Sequence, residues 1–136
     1  MVYLTRIEHF NAAHKLYNPA WTQERNEEVF GRCANANWHG HNFELHVTVK
    51  GQPDPETGFI FDAKKLSRLV HEHVIDLLDH RNLNLDVAFL QGRICSIENL
   101  VTAIWQELAP RLPPGVHLYR LKLVETPHIH VEFFGE

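Results

Sequence analysis

The stretch His39-Gly40-His41-Asn42-Phe43-Glu44-Leu45-His46-Val47-Thr48-Val49-Lys50 decides how this chain folds. From His41 to Lys50, Phe43, Leu45, Val47 and Val49 alternate with polar residues. Period-two alternation over this length is the pattern of a half-buried strand. His39 and His41 are two residues apart, so on an extended backbone both imidazoles leave one face, where they can grip one metal ion.

Working outward, Val2 to Phe10 alternates loosely and predicts a first strand, and Asn11 to Arg32 is polar and predicts a long loop with room for a helical turn. Downstream, Pro53-Asp54-Pro55-Glu56-Thr57-Gly58 is turn chemistry, and Phe59 to Phe61 predicts a short returning strand. Asp62 suits a helix N-cap, and Leu66, Leu69, Val70, Val74, Leu77 and Leu78 follow with helical spacing, predicting a helix over 63–78. Ser96 suits the N-cap of a second helix with Leu100, Val101, Ile104, Trp105 and Leu108 on its apolar face, ended by Pro110, Pro113, Pro114 and Gly115. Tyr119 to Glu125 and Ile129 to Phe134 predict two more strands, broken at Thr126-Pro127. Two helices on one antiparallel sheet make an α+β domain, predicted as a single domain over 1–136. A small sheet with uncovered edges invites oligomerisation by edge pairing.

The 136 residues are enough for one real core, and a hydrophobic fraction of 44% is ordinary for a soluble domain. A net charge of −4 argues against a general nucleic-acid or membrane-surface binder, although a local basic pocket for an anionic substrate remains compatible with it. Two cysteines make no disulfide framework; with no signal-peptide pattern, they predict a reducing, cytoplasmic setting. No apolar run approaches the ~20 residues that span a bilayer.

Eleven histidines are many, so only spacing picks out ligands. His14, after the first strand, can join His39 and His41 as a third nitrogen. Three protein ligands with an open fourth position is the form of a catalytic zinc site, and an imidazole set suits zinc better than magnesium. His128 and His130 share the spacing but lack a third partner, and read as structural or surface residues. Cys33 is either a small apolar residue or, beside a metal, a thiolate that acts as ligand, nucleophile or base. Asp79-His80 is a candidate acid/base pair, since a carboxylate fixes an imidazole tautomer; the alternative is a histidine stabilised at a helix C-terminus. Glu125 closes the apolar run Leu121 to Val124 and could accept two N–H groups of a heterocycle, or be an ordinary surface glutamate. Glu98 suits a helix N-terminus.

Together these marks resemble the 6-pyruvoyl-tetrahydropterin synthase / 6-carboxytetrahydropterin synthase family. They are Phe10-Asn11-Ala12-Ala13-His14, Cys33 followed after five residues by His39-Gly40-His41-Asn42, then Leu78-Asp79-His80-Arg81-Asn82-Leu83-Asn84, Glu98-Asn99-Leu100 and Val124-Glu125-Thr126-Pro127. The resemblance covers nearly the whole chain. It implies a tunnelling fold (T-fold): a four-stranded antiparallel sheet with two helices on one face, three subunits joining into a β-barrel, and a homohexamer built as a dimer of trimers. Active sites then lie at subunit interfaces, so the motifs need not meet within one chain.

Carried over residue by residue, the resemblance makes His14, His39 and His41 the ligands of one Zn2+ per subunit. It makes Cys33, Asp79 and His80 the proton-transfer set, Glu125 the anchor of a pterin ring and Glu98 a second contact to it. It implies a lyase acting on 7,8-dihydroneopterin triphosphate, with Mg2+ accompanying the triphosphate. The five-residue gap after Cys33 resembles the branch that forms 6-pyruvoyl-tetrahydropterin for tetrahydrobiopterin biosynthesis. The alternative product is 6-carboxytetrahydropterin of queuosine biosynthesis, with release of acetaldehyde. A catalytically silent pterin- or metal-binding module and a zinc hydrolase are the competing classes; the hydrolase lacks an H-E-x-x-H glutamate. Two positions depart from the family pattern: Trp38 is large where a small residue is common, and Ile97 stands where a hydroxyl residue is frequent.

Overall fold

The alternating stretch forms strand β2, His39–Gly51, the centre of the sheet in a computed structural model that describes residues 1–136. On one side β2 pairs antiparallel with β1, Val2–His14, in a register that sets Phe10 opposite Phe43, Ala12 opposite His41 and His14 opposite His39. On the other side it pairs with β4, His117–Thr126, which turns back into β5, Ile129–Phe133. A two-residue strand β3, Arg81–Asn82, runs parallel to Ala12 and Ala13, so the order is β3-β1-β2-β4-β5. The sheet therefore has five strands where four were expected; β3 is held by the His80 N–H on the Asn11 carbonyl and the Leu83 N–H on the Ala13 carbonyl.

The helix expected at 63–78 (α2) is continuous but not uniform: α-helical over Ala63–Val70, a π turn over His71–Ile75, then α-helical again over Asp76–Leu78. Asp62 caps it, accepting from the Lys64 N–H at 2.8 Å. Helix α3, Ile97–Leu108, starts where Ser96 Oγ accepts from the Asn99 N–H. Both helices bury their apolar stripes (Leu66, Val70, Val74, Leu78; Leu100, Ile104, Leu108) in one core with Phe10, Phe43, Leu45, Val47, Leu121 and Leu123 of the sheet. A buried carboxylate interrupts this face: Glu8 accepts from Ser67 Oγ at 2.5 Å, Arg6 Nε at 2.8 Å and His71 Nε2 at 3.1 Å, where the π turn begins. The opposite sheet face mixes polar residues such as Thr5, Glu44 and His46 with the exposed Tyr3, Ile7 and Tyr119. On the side of β1 away from β2, residues 2–11 have no strand partner, and β5 forms the other edge.

Two expected elements are corrected. The loop expected over 11–32 is not a loop throughout: β1 continues to His14 because residues 11–14 find a non-local ladder in 39–42, and Gln23–Phe30 forms a helix, α1, capped by Thr22 Oγ1 on the Arg25 N–H. α1 turns one buried residue inward, Asn26, whose Oδ1 accepts the Asn18 N–H at 2.7 Å, so no apolar stripe announces it. Residues 59–61 form no strand. The Phe59 carbonyl bonds the Asp54 N–H, closing a loop, and Ile60 packs into the space above Gly51, where a Cβ would come within 2.7 Å of Ile60 Cγ2. No helix of the chain is long and apolar enough to cross a membrane.

Candidate active site

The β1–β2 register carries the three predicted ligands to one point. His14 lies opposite His39, and His41 follows two residues along on the same face, next to the Phe10–Phe43 stack. One ring nitrogen from each of His14, His39 and His41 lies within 4.8 Å of the others. The rings meet at centroid distances of 4.6 Å (His14–His39), 5.2 Å (His14–His41) and 5.1 Å (His39–His41), tilted or edge-on, so nitrogens rather than faces converge.

His14 is 2% exposed, and its Nδ1 lies 2.8 Å from the Cys95 carbonyl. A carbonyl only accepts, so Nδ1 carries the hydrogen and Nε2 presents its lone pair to the cluster. Fixing the far nitrogen in this way is how metal-binding histidines are oriented. Two nitrogens, His14 Nε2 and His39 Nδ1, are buried with no hydrogen-bond partner. Unpaired buried polar atoms are costly unless something binds them. Burial drives the His14 pKa down to about 4; the Cys95 bond raises it, and His39 and His41 add to the depression. Burial, then His41, lowers that of His39 as well. Neutral imidazoles with free lone pairs are what a metal requires, and the site fits Zn2+. This is the one group of three or more histidine, cysteine or acidic side chains placed to hold an ion.

Cys33, in the turn after α1, opens onto the same cavity of about 340 Å3 as His39, His41 and Glu125, with Trp38 and Arg32 at its wall. Its carbonyl accepts the Leu16 N–H at 2.8 Å, tying this turn to the end of β1. Glu125 sits where the β4–β5 ladder skips from Val124–His130 to Thr126–Ile129. Such irregularities re-aim a side chain. Its carboxylate stands 3.8 Å from His14 Nε2 and 3.9 Å from His41 Nε2. Burial raises the Glu125 pKa; His41 pulls it down and the nearby Glu98 carboxylate pushes it up. Glu98 is exposed, in the first turn of α3.

Asp79 and His80 do not line this cavity. They form a separate pair, His80 Nδ1 to Asp79 Oδ2 at 3.0 Å, fastened to the β1 edge by the Asn11 N–H on Asp79 Oδ1 at 2.8 Å. The Asn11 bond is the main cause of a lowered Asp79 pKa. The His80 side chain is 82% exposed. His80 (φ 59°) and Trp38 (φ 70°) are the only non-glycine residues with left-handed backbone. That conformation costs roughly 1–2 kcal/mol per residue and concentrates at functional sites. Of the remaining histidines, His128 and His130 are exposed, while His9 and His46 face Glu44 on the open sheet face. Cys95 is buried, its thiol pKa pushed up to about 11 by burial, and it serves the site through its carbonyl. Sequence reading missed that role because a backbone acceptor leaves no side-chain signature.

A family model described as 6-pyruvoyl tetrahydropterin synthase matches residues 3–136. The chain is 39% identical over 127 residues to the 6-pyruvoyl tetrahydrobiopterin synthase of Homo sapiens, covering 93% of this chain and 87% of that one. It is 38% identical over 135 residues to the enzyme of the same name from Dictyostelium discoideum, covering 99% and 97%. Its fold superposes on the 6-pyruvoyl tetrahydropterin synthase of Caenorhabditis elegans with a TM-score of 0.91 and 34% identity, over 99% of this chain and 96% of that one. A matched T-fold, a register that gathers three metal-competent histidines, and identity along almost the whole length agree: the chain belongs to the 6-pyruvoyl tetrahydropterin synthase family.

Proposed function

We propose that this protein is a zinc-dependent lyase that converts 7,8-dihydroneopterin triphosphate to 6-pyruvoyl-tetrahydropterin and triphosphate. The observation that carries the reading is the convergence of His14, His39 and His41, two of them with unpartnered buried nitrogens, beside Cys33 and Glu125. The three histidines would hold Zn2+, which when bound supplies a positive charge against the negative charge that develops as a carbon gives up its proton. Cys33, as thiolate, takes a proton from the substrate side chain. Glu125 accepts N–H groups of the pterin ring and sets its orientation, with Glu98 alongside. Moving the side-chain hydrogens into the ring reduces the pterin, oxidises the side chain and lets triphosphate leave.

His80, its imidazole oriented by Asp79, returns a proton on the other face of the substrate. Since this pair lies apart from Cys33 in its own chain, it serves the cavity of a neighbouring subunit, in a trimer-based assembly that pairs the free β1 and β5 edges and stacks into a homohexamer. Two free cysteines suit a reducing, cytoplasmic setting.

The test is incubation of zinc-loaded protein with dihydroneopterin triphosphate, with products identified by mass spectrometry. A 6-pyruvoyl product is expected. A 6-carboxy product with acetaldehyde would move the protein to the queuosine-type reaction with the same site residues. Absence of turnover by zinc-replete protein would leave a pterin- or metal-binding module.

A further inference from the structure

A second cavity, of about 410 Å3, adjoins the histidine site, and Trp38 lines both. Its cations are Lys15 and Arg93, and no carboxylate lines it. Lys15 Nζ stands 4.3 Å from the centroid of the Trp38 ring and 4.6 Å from that of Tyr17, in contact with both rings. The Lys15 backbone is fixed on both sides by Asn84, whose Oδ1 accepts the Lys15 N–H at 3.1 Å and whose Nδ2 donates to the Lys15 carbonyl at 3.0 Å. Arg93 is steadied from one side by the neutral Gln106, to whose Oε1 its Nη2 donates at 2.7 Å. Neither cation forms an ion pair.

This arrangement is unusual on a chain of net charge −4. Aromatic faces attract an ammonium through their quadrupoles but take up none of its N–H donors in hydrogen bonds. Lys15 is therefore held in place with its charge unneutralised and its donors free, beside a second unpaired cation. Trp38 meets Lys15 while holding a left-handed backbone that glycine would adopt without strain. Strain kept at a residue that touches both cavities is a pointer to use. Lys15 and Trp38 also follow and precede the paired residues His14 and His39, so the register that builds the histidine cluster builds the clamp.

We propose that Lys15, clamped between Tyr17 and Trp38, and Arg93 form the binding site for a polyphosphate group, the anionic tail of a ligand whose reacting carbons lie at the histidine cluster. The proposal deepens the lyase reading and rests on it for the identity of the ligand; the anion site itself rests on the cavity. The side chain of Trp38 is then the partition over which the ligand passes from one cavity to the other.

The probe is inorganic tripolyphosphate, titrated calorimetrically into the 136-residue chain at fixed ionic strength. Lys15→Met should weaken binding about tenfold or more, and Lys15→Met with Arg93→Met further still. Lys15→Arg, which keeps the charge, should stay within a few fold of the unaltered protein, separating charge from folding defects. Trp38→Gly should weaken binding severalfold by freeing the ammonium. Lys65→Met, on the exposed face of α2, should change nothing. Affinity for unphosphorylated dihydroneopterin should be the same in Lys15→Met and the unaltered protein. Equal tripolyphosphate affinity in the double variant and the unaltered protein would overturn the proposal, because the histidines, and any ion on them, are intact in both. Failure of the lyase reading looks different: Lys15-dependent tripolyphosphate binding by a protein with no turnover keeps the anion site and removes the reaction. Turnover with an unchanged KM in Lys15→Met does the reverse.

Discussion

Acidifying the metal-free protein probes the histidine cluster directly. The His14 pKa is about 4 in the folded chain against an ordinary 6.5, because the ring is 2% exposed and sits beside two more imidazoles. That difference makes protonation in the folded state harder by about 3 kcal/mol. A histidine pKa lowered by folding means that the unfolded chain binds the proton first. His14 is therefore without effect on stability above about pH 7, and stability falls as pH drops from 6.5 towards 4, levelling off below. By pH 5 roughly 2 kcal/mol of the 3 is gone, a large share of the ~5–15 kcal/mol that holds a domain folded. The assay is urea unfolding of EDTA-treated protein from pH 7.5 to 5, beside His14→Gln, which cannot take the proton. The variant should lose less stability on acidification, by about 2 kcal/mol. Parallel pH profiles would refute the argument that buried, neutral His14 is poised as a lone-pair donor. Zn2+ at a hundred times its Kd should restore about 2.7 kcal/mol near neutrality, less as protons compete for the same nitrogens.

Three further outcomes are expected. Cys33→Ala should lower kcat by about 10²–10⁴-fold while zinc content, read by atomic absorption, stays at one per chain; zinc loss would make Cys33 a ligand instead of a base. Glu125→Gln removes a charged acceptor from the cavity and should weaken pterin binding by roughly tenfold or more in a fluorescence titration, whereas equal affinity takes Glu125 out of the site. Glu8→Gln should flatten a shallow stability maximum at mildly acidic pH in thermal melts. Burial raises the Glu8 pKa, but bonds from Ser67, Arg6 and His71 outweigh it and leave it lowered; burial lowers that of His71, but Glu8 and Asp76 leave it raised. The carboxylate's contribution is lost as pH falls through its folded pKa and the imidazole's as pH rises through its own. With the His71 side chain 42% exposed the gain is only about 0.5–1 kcal/mol, and an unchanged profile would dismiss the network as a stabilising one.

How much of this was legible beforehand depended on where the physics is local. β2, α2 and α3 carry their burial in their own periodicity, and their caps Asp62 and Ser96 are where the residue types place them. The end of β1 is not local. Asn11-Ala12-Ala13-His14 has weak strand propensity and is extended because residues 39–42 supply its hydrogen bonds. α1 faces Asn26 inward instead of an apolar stripe, leaving Thr22 as the only cue. Phe59-Ile60-Phe61 has strand composition but no partner, and composition without a ladder makes no strand. The meeting of His14, His39 and His41 was legible from spacing and resemblance, whereas the Trp38–Lys15 contact needed the register of β1 against β2. That Asp79 and His80 do not line the Cys33 cavity could not come from motif order, since sequence order does not fix distance in space.

The pairing of His14 with His39 has one more consequence. β1 and β2 are each 13 residues long and could be laid side by side in several alignments. Sliding β1 by one residue would set Ala13 or Lys15 opposite His39 and turn His14 to the far face of the sheet. An ion that needs all three imidazoles would stabilise only the correct alignment, so its binding would act as a gauge during folding: misaligned chains could not be clasped, and the excursion of residues 15–38 would be closed into a ring only when the two strands had been matched correctly.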